Sequence, residues 1–199
     1  MTTVKRGQGE QTYVDSFIVK DFINSSDREL IKDYLYKFSF NLSEAYEYLF
    51  LVSQCNDIEA EWKSELFYRI YGMALQCLAL CIRKMTDASS ERSVRKLVAI
   101  TEKYKVAVVD EQQIEIIYRH YDKFLNKFVV HQDVHSINDG VSFFPDTKVV
   151  VNDLERLRSY YLGIAQSYCN GYIDVSGEGH YYGFDLEKIV KFELSPDEY

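Results

Sequence analysis

The sequence holds two prolines and nine glycines in 199 residues. Proline removes an amide donor and fixes φ, and glycine costs a helix interior about 1 kcal/mol relative to alanine. With so few breakers, long segments run uninterrupted, which favours helices. Long hydrophobic runs are missing as well. No stretch reaches the about eighteen uncharged apolar residues that read as a membrane span, and the richest, Met73 to Ile82, is too short. The four cysteines, Cys55, Cys77, Cys81 and Cys169, form no CxxC pair, which argues against a zinc-ribbon or thioredoxin-type centre. Positive charge is also short: 23 Lys and Arg stand against 31 Asp and Glu, for a net charge of −8. Phosphate binding rests mainly on Lys and Arg, so a broad nucleic-acid or anionic-membrane surface is not expected, although a small local site is compatible with this balance. Lys5 and Arg6 are not followed by an apolar segment, so no secretory signal is expected and the expected location is the cytoplasm.

What is present describes a helical domain. The hydrophobic fraction of 47% is ordinary for a globular protein, and the length suits one domain with a sizeable core. Seventeen tyrosines bring large apolar bodies that each carry a hydroxyl in need of a partner. Residues 1–24 are assigned to a poorly ordered N-terminal segment, 25–171 to a helical bundle and 172–199 to an irregular appendage with a short helix over 185–192. Ser26 and Glu29 form a capping box for a first helix that runs to about Ser53, with a break near 39–43. Asn56-Asp57 opens a second, the most apolar and therefore buried on most faces, ending near Met85. Ser90 caps a third over 91–104, Asp110 with Gln113 caps a fourth, and Asn152 with Glu155 caps a fifth that ends near Gly171. Lys148 to Val151 is the one short β-like run. Cys77 and Cys81, four apart among Leu75, Leu78 and Leu80, read as small core residues rather than ligands. The fold class expected is all-α, a bundle of four to five helices.

The fourth helix carries the chemical candidates. On a wheel of 100° per residue, Ile114, Ile117, Tyr118, Tyr121, Leu125 and Phe128 share the core face. Arg119 and Lys123 lie opposite, and Lys127 and His131 are neighbours at the margin. Asn126 and Asp133 lie on the other side. Three readings suit this end of the helix. It is an ordinary C-terminus, where Lys and His complement the macrodipole. Alternatively, His131 and His135 at i,i+4 share a metal, though HQDVH lacks the glutamate of HExxH. Or His131 is a general acid/base with Lys127 holding a phosphate beside it. Arg83 either pairs with Asp87 at i,i+4 or borders the same groove as His131.

The segment Leu125-Asn126-Lys127-Phe128-Val129-Val130-His131-Gln132-Asp133 resembles the RNKxxAHRD-type motif of the HEPN superfamily, in particular the AbiU-like abortive-infection group. Asn126, Lys127, His131 and Asp133 match the motif. Ala79 to Asp87, followed by Ser93 to Leu97, is similar to that family's helix ending in Arg and Asp before a short Leu-bearing helix. The resemblance covers roughly residues 27–170. It implies a helical bundle, a homodimer with the motif helices at its interface, and a metal-independent endoribonuclease needing no cofactor. In active members Arg and His assist attack of the ribose 2′-hydroxyl on the phosphate, and many members are toxins with an antitoxin partner or act in phage defence. Others have lost the motif and serve binding roles. Here the position of the motif arginine is Leu125, which cannot stabilise charge on a phosphorane. Lys127 would have to replace it, or Arg119 acting across a dimer interface. The implied catalytic residues are His131, Lys127 and Asn126, with Asp133, Arg83 and Arg119 in binding. The expected function is RNA binding with degenerate or absent nuclease activity, or a non-catalytic homodimeric interaction module.

Overall fold

A computed structural model describes residues 16–59, 63–104, 109–130 and 144–175, with residues 127–130 as helix backbone only. Among the described residues five helices carry the fold: α1 (Ser25–Asp57), α2 (Glu65–Thr86), α3 (Val94–Thr101, continued by a 3-10 turn at Glu102–Tyr104), α4 (Glu111–Val130) and α5 (Thr147–Tyr168). Two short strands, β1 (Ile18–Val19) and β2 (Cys169–Gly171), pair antiparallel with an irregular register. The all-α bundle of four to five helices is what the structure contains.

α1 lies along α2 and touches α3 and α5, and α2 packs on its other flank against α4. One core joins them: Ile31, Leu35, Phe38 and Leu42 of α1, Leu75, Leu78 and Ile82 of α2, Leu97 of α3, Ile114, Ile117, Tyr121 and Leu125 of α4, and Leu154, Leu157 and Tyr161 of α5. Each set repeats at three or four residues, the spacing that brings side chains onto one helical stripe. Phe38 stacks on Tyr161 with ring centroids 5.8 Å apart.

Several boundaries differ from those expected of the sequence. α1 is continuous through residues 39–43, and its cap is Asn24, whose side chain accepts from the Asp27 amide. Ser26 donates to that same Asn24 oxygen instead of capping the helix itself. Asn56 and Asp57 form the last turn of α1 rather than the start of the next helix, and α2 opens at Ser64, which accepts from the Phe67 amide. The third helix is capped by Ser93, not Ser90. Asp110 caps α4 as expected, accepting from the Gln112 and Gln113 amides at 3.0 and 3.2 Å. α5 is capped six residues earlier than expected, at Asp146 instead of Asn152: Asp146 accepts from the Lys148 amide, and Lys148 to Val151 are helical.

Residues 16–24 belong to the packed domain, since Phe17, Val19 and Ile23 are buried in the common core. Lys20 donates to the carbonyls of Gln166 and Ser167 at 2.9 Å each, placing a cation where α5 exposes its last carbonyls. At the other end, residues 172–175 pack back on the bundle. Arg158 donates to the Val175 carbonyl at 2.6 Å and to Asp174 at 3.0 Å, and the Tyr161 hydroxyl donates to the Ile173 carbonyl.

α2 is not buried all round. Met73 is 58% and Tyr68 45% exposed. Its 22 residues have the length and apolarity to cross a membrane, which Met73 to Ile82 alone lacks, yet 44% of its most apolar window is buried in the bundle.

Candidate functional site

The sequence candidates divide at Asn126. His131 and Asp133, and with them His135, lie outside the described residues, as do the N-terminal segment 1–15 and the short helix expected over 185–192; the side chain of Lys127 lies outside them too. Arg83, Arg119, Leu125 and Asn126 can be placed.

Leu125 stands where the resemblance has arginine, and it is 1% exposed. Its neighbours in sequence, Phe124 and Tyr121, are also fully buried, so this turn of α4 presents its apolar edge to the core. A guanidinium here would enter the core unpaired, which costs several kcal/mol. Arg119 sits on the opposite face, three-quarters exposed, with its Nε 2.8 Å from Glu115 one turn earlier. It is the outermost of a chain of charges that continues inward. Glu115 also takes Arg95 of α3 at 2.9 Å, and Arg95 reaches Glu111 at 2.6 Å. These residues line a shallow cavity of about 400 Å³ with Gln112 and the exposed Ile116. Both arginines face carboxylates there, and Arg95 and Arg119 hold the Glu115 carboxyl below its usual range.

Arg83 and Asn126 meet on one carboxylate. Arg83 pairs with Asp122 at 3.2 Å, not with Asp87, and its guanidinium lies over the Tyr118 ring at 5.7 Å. Tyr118 donates to the same Asp122 oxygen at 3.3 Å, and Asn126 donates to the other at 2.9 Å. Asp87 instead closes the turn after α2, accepting from the amide and hydroxyl of Ser89 at 2.8 and 2.7 Å. Those two bonds hold its carboxyl below the ordinary value. Arg83 therefore borders α4 at Asp122; whether it shares a groove with His131 lies outside the described residues. Asp122, which the sequence reading omits, is the residue that brings Arg83 and Asn126 together.

A second cluster went unread. Asp153 of α5 is 3% exposed, and its Oδ2 takes His120 Nδ1 at 2.8 Å and the Tyr121 hydroxyl at 3.1 Å. A carboxylate accepts, so Nδ1 carries the hydrogen in this contact. Burial and the Asp153 charge push the Tyr121 hydroxyl well above its ordinary pKa. The signal was present in part: Asp153 falls between Val150 and Leu154 on the buried stripe of its helix, where an acid needs a partner. His120 is its answer on α4.

Cys55, Cys81 and Cys169 are buried, whereas Cys77, also expected in the core, is only half-buried. All four are free, and burial pushes the Cys81 thiol up to about 12. Among the described residues there is no group of three His, Cys, Asp or Glu side chains that could hold a metal.

Comparison with protein families, curated proteins and solved structures finds no match for this chain.

Proposed function

We propose that this chain is a non-catalytic helical interaction module, built on a bundle of the ribonuclease-like type that its motif helix resembles. One observation carries the reading: Leu125 occupies the position of the motif arginine and is a core residue. The neighbouring polar candidates support it. Arg83 and Asn126 are held by Asp122, and Arg119 by Glu115. A phosphate would have to displace a carboxylate from each guanidinium, on a chain that already repels anions through its net charge.

RNA binding is the second reading, and a specific placement favours it. Arg83, Tyr118 and Asn126 lie together around Asp122 along the α2–α4 groove. An aromatic ring beside a guanidinium is a combination that stacks bases. In that reading the chain is a defence or toxin-type protein with an RNA target and an antitoxin partner.

Incubating the full chain with single-stranded RNA in EDTA, beside a His131→Ala variant, separates the two. The interaction module leaves the RNA intact and unbound in both samples. Cleavage by the wild type that the variant loses would overturn it in favour of the enzyme.

A further inference from the structure

Asp153 is a carboxylate in the core that forms no ion pair with a lysine or arginine among the described residues. Its counter-ion is His120, with Nδ1 2.8 Å from Oδ2; the Asp153 side chain is 5% exposed and the imidazole 35%. An asparagine would accept from His120 and Tyr121 equally well, without the cost of burying a charge. What only the carboxylate supplies is charge, and that charge acts on the ring. It holds the hydrogen on Nδ1, so the lone pair of the neutral imidazole sits on Nε2. It also stabilises the positive charge that the ring gains when Nε2 forms a bond. The Asp153 contact is the only hydrogen bond of the imidazole among the described residues, so Nε2 is not taken by another of their groups.

The surroundings select what Nε2 can attack. Gln113 takes Arg156 and His120 takes Asp153, so α4 and α5 run antiparallel here. Lys123 follows His120 along the same face of α4, and Arg156 follows Asp153 along the same face of α5. Both cations are exposed. The carboxylates nearest in sequence face other helices: Glu115 takes Arg95 of α3, Asp122 takes Arg83 of α2, and Glu155 takes Tyr46 of α1. Asp110 and Asp146 cap the two helices. A metal ion would meet two cations beside His120, whereas an anionic electrophile is drawn to this face of a chain whose net charge is −8.

We propose that His120 is a phosphoryl acceptor, modified at Nε2 by a donor of the acyl phosphate or phosphoramidate class. The Nε2 lone pair forms the N–P bond while the bond from phosphorus to the leaving carboxylate or amine breaks, and that electron pair departs with the leaving group. Nδ1 keeps its hydrogen on Asp153, so no proton is released, and nothing is oxidised or reduced. The inference goes beyond the interaction-module reading. A phosphoryl group adds about two negative charges to the α4–α5 face, which changes the surface that such a module presents.

Incubation of the full chain with potassium phosphoramidate at neutral pH tests this, with peptide mass spectrometry under alkaline conditions to locate the acid-labile phosphate. The four histidines, His120, His131, His135 and His180, compete in one sample. His120 is expected to label at least about tenfold faster than each of the others, and phosphorus NMR should show the Nε2 isomer. Asp153→Asn, which keeps an acceptor for both donors, should retain the helical circular dichroism and slow labelling of His120 by a similar factor. Labelling at no histidine, or evenly over the four, overturns the proposal. So does the Nδ1 isomer at His120, or a folded Asp153→Asn chain that labels at the wild-type rate. Should Asp153→Asn fail to fold, the comparison among the wild-type histidines and the isomer decide. None of these readouts involves RNA, so failure here is distinct from failure of the non-catalytic reading.

Discussion

Arg83 Nη2 lies 3.2 Å from Asp122 Oδ1, and this pair ties the last turns of α2 to the middle of α4. Both side chains are roughly 30% exposed, so water screens the attraction and can take over when one partner leaves. Asp122→Ala should cost about 1 kcal/mol or less, read from urea unfolding. Tyr118 and Asn126 lose an acceptor by the same change, but Asn126 is exposed and re-solvates. A loss several times larger would show that the cluster is drier than its exposure indicates. The variant also releases Arg83. RNA binding that appears only in Asp122→Ala would show that the carboxylate masks a phosphate site.

Leu125→Arg restores the residue type of the resembled motif without restoring its setting. The side chain at 125 is 1% exposed among Tyr121 and Phe124, and a charge forced there has no partner. The variant should lose at least about 3 kcal/mol of stability and gain no ribonuclease activity. Leu125→Ala, which only leaves a cavity, should cost about 2–5 kcal/mol. A Leu125→Arg protein that is as stable as wild type and cleaves RNA would mean that this turn of α4 can rotate outward, and the non-catalytic reading would fall.

The core face of α4 was legible in the sequence because it follows a helical period over several turns, and the Asp110 cap because it precedes that pattern directly. The start of α2 was not. Asn56-Asp57 looks like a cap, yet the buried stripe of α1 runs on through Val52 and Cys55, and a stripe outweighs a local polar pair. The valines at 149–151 favour strands as residues, but only Val150 reaches the core, and Asp146 satisfies the amides of a helix. β1 and β2 have two and three residues, too few for a period, and exist because the ends of the domain meet. Of the site, the sequence offered Arg83 beside α4 only as one of two readings, the other being a pair with Asp87. It could not show that Asp122 organises that contact, or that His120 answers Asp153, because each relation joins two helices.

The Asp153 cluster should matter more to stability than Arg83–Asp122. Asp153 is buried, and Tyr121, which it serves, is fully buried. Asp153→Ala leaves the tyrosine hydroxyl without its acceptor in the interior, a loss of about 1–3 kcal/mol. Tyr121→Phe removes one donor, leaves His120 on the carboxylate, and should cost about 1 kcal/mol. The double variant Asp153→Ala/Tyr121→Phe should lose less than the sum of the two, since the second change removes the orphan created by the first. Strict additivity in thermal or urea unfolding would show that the hydroxyl finds another partner.

Stability should fall at both ends of the pH scale, for opposite reasons. Asp27 accepts from Lys103, Tyr104 and the helix cap, and the Lys103 contact is the largest cause holding its carboxyl below the usual 3.8. Ser89 does the same for Asp87. Below 3.8 the unfolded chain binds protons that the folded one still refuses, so this stability is full above 3.8 and is lost as the pH drops through the folded values. Asp27→Asn should flatten the acid limb of the stability curve. On the alkaline side, burial holds Tyr121 and Tyr161 protonated far above the ordinary 10.0. Unfolded tyrosines ionise near that value while these two do not, so the unfolded state is favoured increasingly as the pH rises beyond it. Tyrosinate absorbance should therefore show the two phenols ionising only with unfolding, together with the loss of helical circular dichroism. Full tyrosine ionisation in a chain that remains helical would show that these two side chains are reached by water without opening the core.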